Sequence, residues 1–170
     1  MTLPPELQAL VDRAAIHDVL MRYFHAADSA DKALVRTCFT DDVKARYHGR
    51  APVEGADALI GQIALFDAFG SGACKIATHF VGNVQYKLIG TAHAETETNA
   101  FAFLVRPAQP SDQVAMRSLR YLDRWVRQAG LWKIAERIHT LDWHGEVPAS
   151  AAATLAQRVN AFPAPPTLSI

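Results

Sequence analysis

The chain has little of what marks several common protein classes. It has only two cysteines, Cys38 and Cys74, and neither belongs to a Cys-x-x-Cys pair. That excludes a disulfide framework and fits two reduced, buried thiols in a cytosolic protein. It has no excess of either charge: seventeen Lys and Arg face seventeen Asp and Glu. A general nucleic-acid binder needs a basic excess, so no nucleic-acid partner is expected. Long apolar runs are missing too. The most apolar stretch, Ala58 to Phe69, is interrupted by Gly61, Gln62 and Asp67 and is too short to span a bilayer, so no membrane partner is expected. The opening MTLPPELQALVDR lacks the basic and apolar regions of a secretory signal, and cytoplasmic residence is the expectation. No Gly-rich phosphate loop and no Gly-x-Ser-x-Gly elbow occur.

What is present is an ordinary globular composition. Half of the 170 residues are apolar. A chain of this length forms one domain and buries roughly 70% of its unfolded surface, enough for a core without staples. Leu7, Leu10, Val11 and Ala14 recur at helical spacing after Pro4 and Pro5. The phase then shifts to Ile16, Leu20, Tyr23 and Ala27, which predicts a short entry helix and a longer one with Asp12 as the cap between them. Asp31 is placed to cap a third helix carrying Leu34, Val35, Cys38 and Phe39. Val43, Ala45 and Tyr47 alternate with polar residues as in a half-buried strand, and a helical period returns from Ala56 to Phe69.

From Lys75 onward the pattern is β. Runs at 75–81 and 84–89 flank a bend at Gly82-Asn83, and alternating runs follow at 91–105, 114–127 and 131–144 with short connections. Helices gathered at one end of the chain, against long antiparallel strands, predict an α+β fold. Residues 1–147 form the expected domain. Residues 148–170 form an Ala- and Pro-rich tail, with Leu155, Val159 and Phe162 at helical steps, expected to dock as a helix on the domain or on a neighbouring subunit.

These residues resemble a known family. Asp12 to Ile16, Tyr23, Asp28, Asp31, Cys38-Phe39-Thr40-Asp41-Asp42, Ala77-Thr78-His79, Gly82-Asn83 and Gly130 to Arg137 are similar, in order and spacing, to SnoaL-like proteins of the nuclear transport factor 2-like superfamily. The resemblance covers about residues 6 to 145. It implies a cone-shaped, curved antiparallel sheet closed by three helices into an α+β barrel around an apolar pocket. One branch of the superfamily works with an Asp–His dyad and includes scytalone dehydratase, the bile-acid 7α-dehydratase and the hexachlorocyclohexane dehydrochlorinase. By that resemblance the catalytic positions are Asp28, His79, Tyr23, Tyr47 and Arg137.

The chemistry suits those residue types. A neutral imidazole is a natural general base near pH 7, and a buried carboxylate beside it fixes the tautomer and stabilises the imidazolium. Tyrosine hydroxyls can donate to a carbonyl or a departing hydroxyl. Arg137 is expected to orient Asp28 or to hold an anionic substrate group. Each residue alone has an ordinary alternative: Asp28 a cap, His79 a hydrogen-bonded strand residue, Tyr23 core, Arg137 a sheet-face ion pair.

The resulting expectation is a lyase that needs no cofactor and dehydrates a small hydrophobic cyclic, polyketide, steroid or aromatic molecule. The alternatives are an isomerase or aldol cyclase with Asp28 as base, and a non-catalytic ligand-binding module or dioxygenase small subunit. Asn99, Phe101 and Phe103 are the expected substrate-binding residues, on one face of the long strand at 91–105. Glu95, Glu97 and His93 share that face as solvated sheet or subunit interface. His139, Asp142 and His144 do not form a metal site by strand parity, because His139 points away from the other two. A homo-oligomer is expected, a trimer before a dimer.

Overall fold

The computed structural model describes residues 3–159. A single helix, α1, spans Pro5–Asp28, with Pro5 at its first turn. The expected break at Asp12 does not occur. Asp12 is buried inside the helix, where its Oδ1 accepts from Gln8 Nε2 at 3.0 Å and from Trp132 Nε1 at 3.2 Å and pairs with Arg127. The phase shift instead marks where the helix meets the sheet: Leu7, Leu10 and Val11 are exposed, whereas Ile16, Leu20, Tyr23 and Ala27 are buried.

Helix α2 (Lys32–Thr37) is capped by Asp31, whose Oδ1 accepts from Leu34 N–H at 2.8 Å. Phe39 opens strand β1 (Phe39–Tyr47) and does not belong to the helix. After the short β2 (Val53–Glu54) come two helices where one was expected, α3 (Ala56–Gln62) and α4 (Ala64–Gly70). Gly61 weakens the helix interior, and Ile63 between the two takes an extended conformation with its side chain buried.

Four long strands follow: β3 (Ile76–Ile89), β4 (His93–Arg106), β5 (Gln113–Gln128) and β6 (Leu131–Pro148). The six strands form one sheet in the order β2-β1-β6-β5-β4-β3. The fold is α+β, as expected. The sheet is mixed, because β1 runs parallel to β6, and it stays open: the outermost strands β2 and β3 are not joined, so no barrel closes. The pairing of β3 with β4 slips between Val81 and Val84, and a Cβ added at Gly82 would come within 3.2 Å of the Asn99 carbonyl.

The inner face of the sheet carries mostly small residues beside the space between sheet and helices. Along β4 these are Ala94, Thr96, Thr98, Ala100, Ala102 and Leu104, all buried. Asp123 and Arg137 sit directly opposite each other on β5 and β6 and pair through two 2.7 Å hydrogen bonds. The guanidinium is 1% exposed and lies 4.2 Å from the Tyr23 ring centroid and 4.8 Å from that of Tyr121. Burial alone would lower the Arg137 pKa. The Asp123 charge and hydrogen bonds more than offset it, so the net displacement is upward.

The tail does not form the expected helix within the described residues. Only a 3-10 turn, Leu155–Gln157, is present, and Val159 is 87% exposed. Leu155 N–H donates to the Lys75 carbonyl at 2.7 Å, which seats this segment at the start of β3. Phe162 and the final prolines lie outside the described residues.

The Arg137–Asp123 pair generates a prediction. Asp123→Ala strands a buried cation, and breaking such a pair costs about 3–5 kcal/mol. Urea unfolding monitored by circular dichroism is expected to show a loss of that size, with Asp123→Glu retaining more stability than Asp123→Ala.

Candidate active site

The last residue of α1 meets the exposed edge of the sheet. Strand β3 is outermost, so alternate amides and carbonyls along one side have no strand partner. Asp28 supplies one. Its Oδ2 accepts the backbone N–H of His79 at 2.7 Å, and its Oδ1 lies 2.6 Å from His79 Nδ1. One carboxylate therefore holds both the main chain and the ring of the same histidine. Arg158 covers the adjoining backbone by donating to the Asp28 carbonyl at 3.0 Å and to the Ala77 carbonyl. The carboxylate fixes Nδ1 as the protonated nitrogen and leaves Nε2 as the available lone pair. Both groups are largely shielded from water, with side-chain exposures of 9% for His79 and 12% for Asp28.

His79 lines a cavity of about 440 Å³ between the sheet and the helices. Ile63, Ala64, Leu65 and Ala68 of the broken helix cover it. Tyr23, Tyr47, Tyr121 and His139 form an aromatic polar wall. The Tyr23 and Tyr47 hydroxyls are 2.9 Å apart, and the Tyr47 ring stacks on His139 with centroids at 4.9 Å. Burial, with Tyr47 and Tyr121 as neighbours, pushes the Tyr23 phenol well above its usual value. Burial does the same to Tyr121. Both stay protonated donors at any working pH.

His139 is held neutral. Burial, followed by the charges of Arg137 and His79, pushes its pKa down to about 3. Its Nδ1 accepts the His48 backbone N–H at 3.4 Å. Thus one histidine is paired with a carboxylate and a second is kept uncharged beside the tyrosines.

The structure brings together four of the five expected catalytic residues: Asp28, His79, Tyr23 and Tyr47. Arg137 stands apart. It neither pairs with Asp28 nor lines the cavity, because the opposite charge of Asp123 directly across the strand pair claims it. Its contact with the site runs through the Tyr23 and Tyr121 rings.

Asn99, Phe101 and Phe103 are not in the cavity. They occupy the outer face of β4, where Asn99 Nδ2 donates to Asn83 Oδ1 at 3.2 Å and Phe101 packs in tilted contacts with Phe103 and Trp143. Strand parity explains the correction. The inner face holds the small residues, and Ala102 and Leu104 line the cavity in place of the aromatics.

The outer face also carries Glu97 between Lys87 and Arg120, and Glu95 with Arg124, as cross-strand ion pairs. Asp142 joins that layer through Arg120, while His139 turns into the cavity. The sequence reading missed His139, Tyr121, His48 and Arg117 as cavity residues. The signal available for Tyr121 and Arg117 was their shared parity along β5, but parity alone does not say which face is inward.

Comparison with known proteins places the chain. The SnoaL-like domain profile matches residues 8–138, and the chain belongs to that family. A curated relative is the terrestric acid biosynthesis cluster protein E of Penicillium crustosum, 28% identical over 131 residues, which are 74% of this chain and 80% of that protein. Among solved structures, a candidate scytalone dehydratase from Novosphingobium aromaticivorans superposes with a TM-score of 0.71 at 18% identity, covering 89% of this chain and 97% of the other. A hexachlorocyclohexane dehydrochlorinase from Novosphingobium barchaimii gives 0.67 at 15% identity, with 87% and 97% covered. These two likenesses establish the shared fold.

The neutral His139 has a measurable consequence. In the unfolded chain this imidazole takes up a proton near pH 6.5, and in the folded chain only near pH 3. Between those values the unfolded state binds more protons, so stability falls as the pH falls. His139 contributes at most about 1.4 kcal/mol per pH unit to that slope. Denaturant titrations of wild type and His139→Asn at pH 7, 5 and 4 are expected to show a shallower acid loss in the variant.

Proposed function

We propose that the protein is a lyase that removes water from a small cyclic hydrophobic molecule without a cofactor, with His79 as general base and Asp28 holding it. The observation that carries this reading is the 2.6 Å contact between Asp28 and His79 Nδ1 at the wall of a cavity large enough for a two- or three-ring molecule. Membership of the SnoaL-like family and similarity to a protein of a biosynthetic cluster support small-molecule chemistry. The fold shared with a candidate dehydratase and a dehydrochlorinase agrees with elimination.

The steps follow from the side chains. His79 Nε2 takes a proton from the carbon α to a carbonyl. Asp28 stabilises the imidazolium that forms. A hydroxyl of the Tyr23–Tyr47 pair donates to the carbonyl oxygen as it gains enolate charge. The enolate then expels the β-hydroxyl, which leaves as water with the proton returned from His79. The aromatic walls and the helical cover keep bulk water from the enolate.

The competing assignment makes Asp28 the base of an isomerase or cyclase. It is disfavoured because both Asp28 oxygens are engaged by His79. Self-association belongs to the same proposal. Phe80, Phe101 and Trp143 leave apolar surface on the outer sheet face, and sedimentation at micromolar concentration is expected to give a species larger than the 18.6 kDa chain, a trimer before a dimer.

The test uses 3-hydroxy-1-tetralone, whose loss of water yields fluorescent 1-naphthol. Wild type is expected to accelerate that loss. His79→Ala and Asp28→Asn should each lower the rate by about 10²–10⁴-fold, the usual contribution of a positioned acid–base group, and Tyr47→Phe by less. Rates for His79→Ala near wild type would overturn the assignment. A large loss in Asp28→Asn alone would make Asp28 the base.

A further inference from the structure

One cavity residue has no part in the proposed chemistry. Arg117 lies on β5 and lines the cavity. Several arginines of this chain are matched with carboxylates: Arg36 with Asp41 and Asp57, Arg106 with Glu146, Arg120 with Glu97 and Asp142, Arg124 with Glu95 and Glu136, and Arg137 with Asp123. Among the described residues no carboxylate lies within 4.0 Å of Arg117. Its direct cross-strand neighbours are Ala102 and His144, neither of which is an acid. The nearby Glu146 is drawn to Arg106 at 3.2 Å.

The register gives this cation a fixed relation to the dyad. His79 on β3 is opposite Ala102 on β4, and Ala102 is opposite Arg117 on β5. The three form one row across the sheet, and all three line the cavity. Two interstrand spacings separate the outer members, about 10 Å between their Cα atoms. The residue between them is alanine, so the space over the row is left to a ligand.

We propose that Arg117 is the anion-binding residue of this cavity and that the substrate carries a carboxylate, held by Arg117 while His79 acts on a carbon of the adjoining ring. The inference rests on the reading of His79 as the base, and it adds the substrate class. A guanidinium binds a carboxylate through two parallel N–H···O bonds, which fixes orientation as well as position. Burial in the cavity wall and then the charge of Arg106 lower the Arg117 pKa, a cost that a bound anion relieves. Arg50 and Arg106 line the same cavity, Arg106 in its pair with Glu146, so cationic groups gather there although the chain as a whole is neutral. The apolar part of the ligand lies against Leu119, Ile63 and Leu65, and the row from His79 to Arg117 sets the separation between acidic carbon and anion.

The test compares 2-naphthoate with its neutral isostere 2-naphthamide by isothermal titration calorimetry. Wild type is expected to bind the carboxylate about ten- to a hundredfold more tightly, the usual value of a hydrogen bond to a charged group. Arg117→Gln should abolish that preference while leaving the naphthamide Kd within about twofold, and Arg117→Lys should keep part of it. His79→Ala should keep all of it, so failure of the dyad in the 1-naphthol assay leaves this result standing. Equal affinity for the two probes in wild type overturns the proposal even if no variant folds. So does equal weakening of both by Arg117→Gln, or no binding of naphthoate at millimolar concentration.

Discussion

Strand β3 runs along the free edge of the sheet, and its outward amides and carbonyls need partners. The protein meets that need with the end of α1 and with the segment after β6. Asp28 takes the His79 amide, Arg158 takes the Ala77 carbonyl and the Asp28 carbonyl, and Leu155 reaches the Lys75 carbonyl. The carboxylate that satisfies the edge also grips the imidazole. Edge protection and site construction are one interaction, so the histidine cannot turn without unsealing the strand.

The cavity wall is built on a second constraint. A buried ion pair, Arg137 with Asp123, lies beneath the tyrosines and carries three aromatic rings against its guanidinium. Burial, and then the positive charge of Arg137, discourage protonation of the His139 imidazole. Burial keeps the phenols protonated. The result is a set of neutral donors and acceptors beside the Asp28–His79 pair. Such neutral groups can stabilise charge that develops on a ligand, beside the cationic side chains that line another part of the cavity.

How far the sequence can be read varies with the kind of information. The order of helices and long strands, the cap at Asp31 and the bend at Gly82 were legible because local periodicity and turn chemistry encode them; the meeting of Asp28, His79, Tyr23 and Tyr47 was legible only through the resemblance to SnoaL-like proteins. Asp12 was misread, because a carboxylate that looks like a helix cap from its neighbours in the chain is a buried acceptor for Trp132, 120 residues away. Arg137 was misread as a residue that orients Asp28 or holds a substrate anion, since only strand register sets it opposite Asp123.

The sequence by itself determined the fold class, the alternation of each strand and the residue types available for acid–base chemistry. Those depend on spacing along the chain. Only the tertiary structure decided which parity of β4 faces inward, and that choice excluded Phe101 and Phe103 from the cavity and admitted Ala102 and Leu104. It also decided that His139, Tyr121 and Arg117 join His79 there. The physical reason is that a strand presents two equivalent faces until the helices pack on one of them. On β4 the face they cover carries the small side chains, which leave room for the cavity.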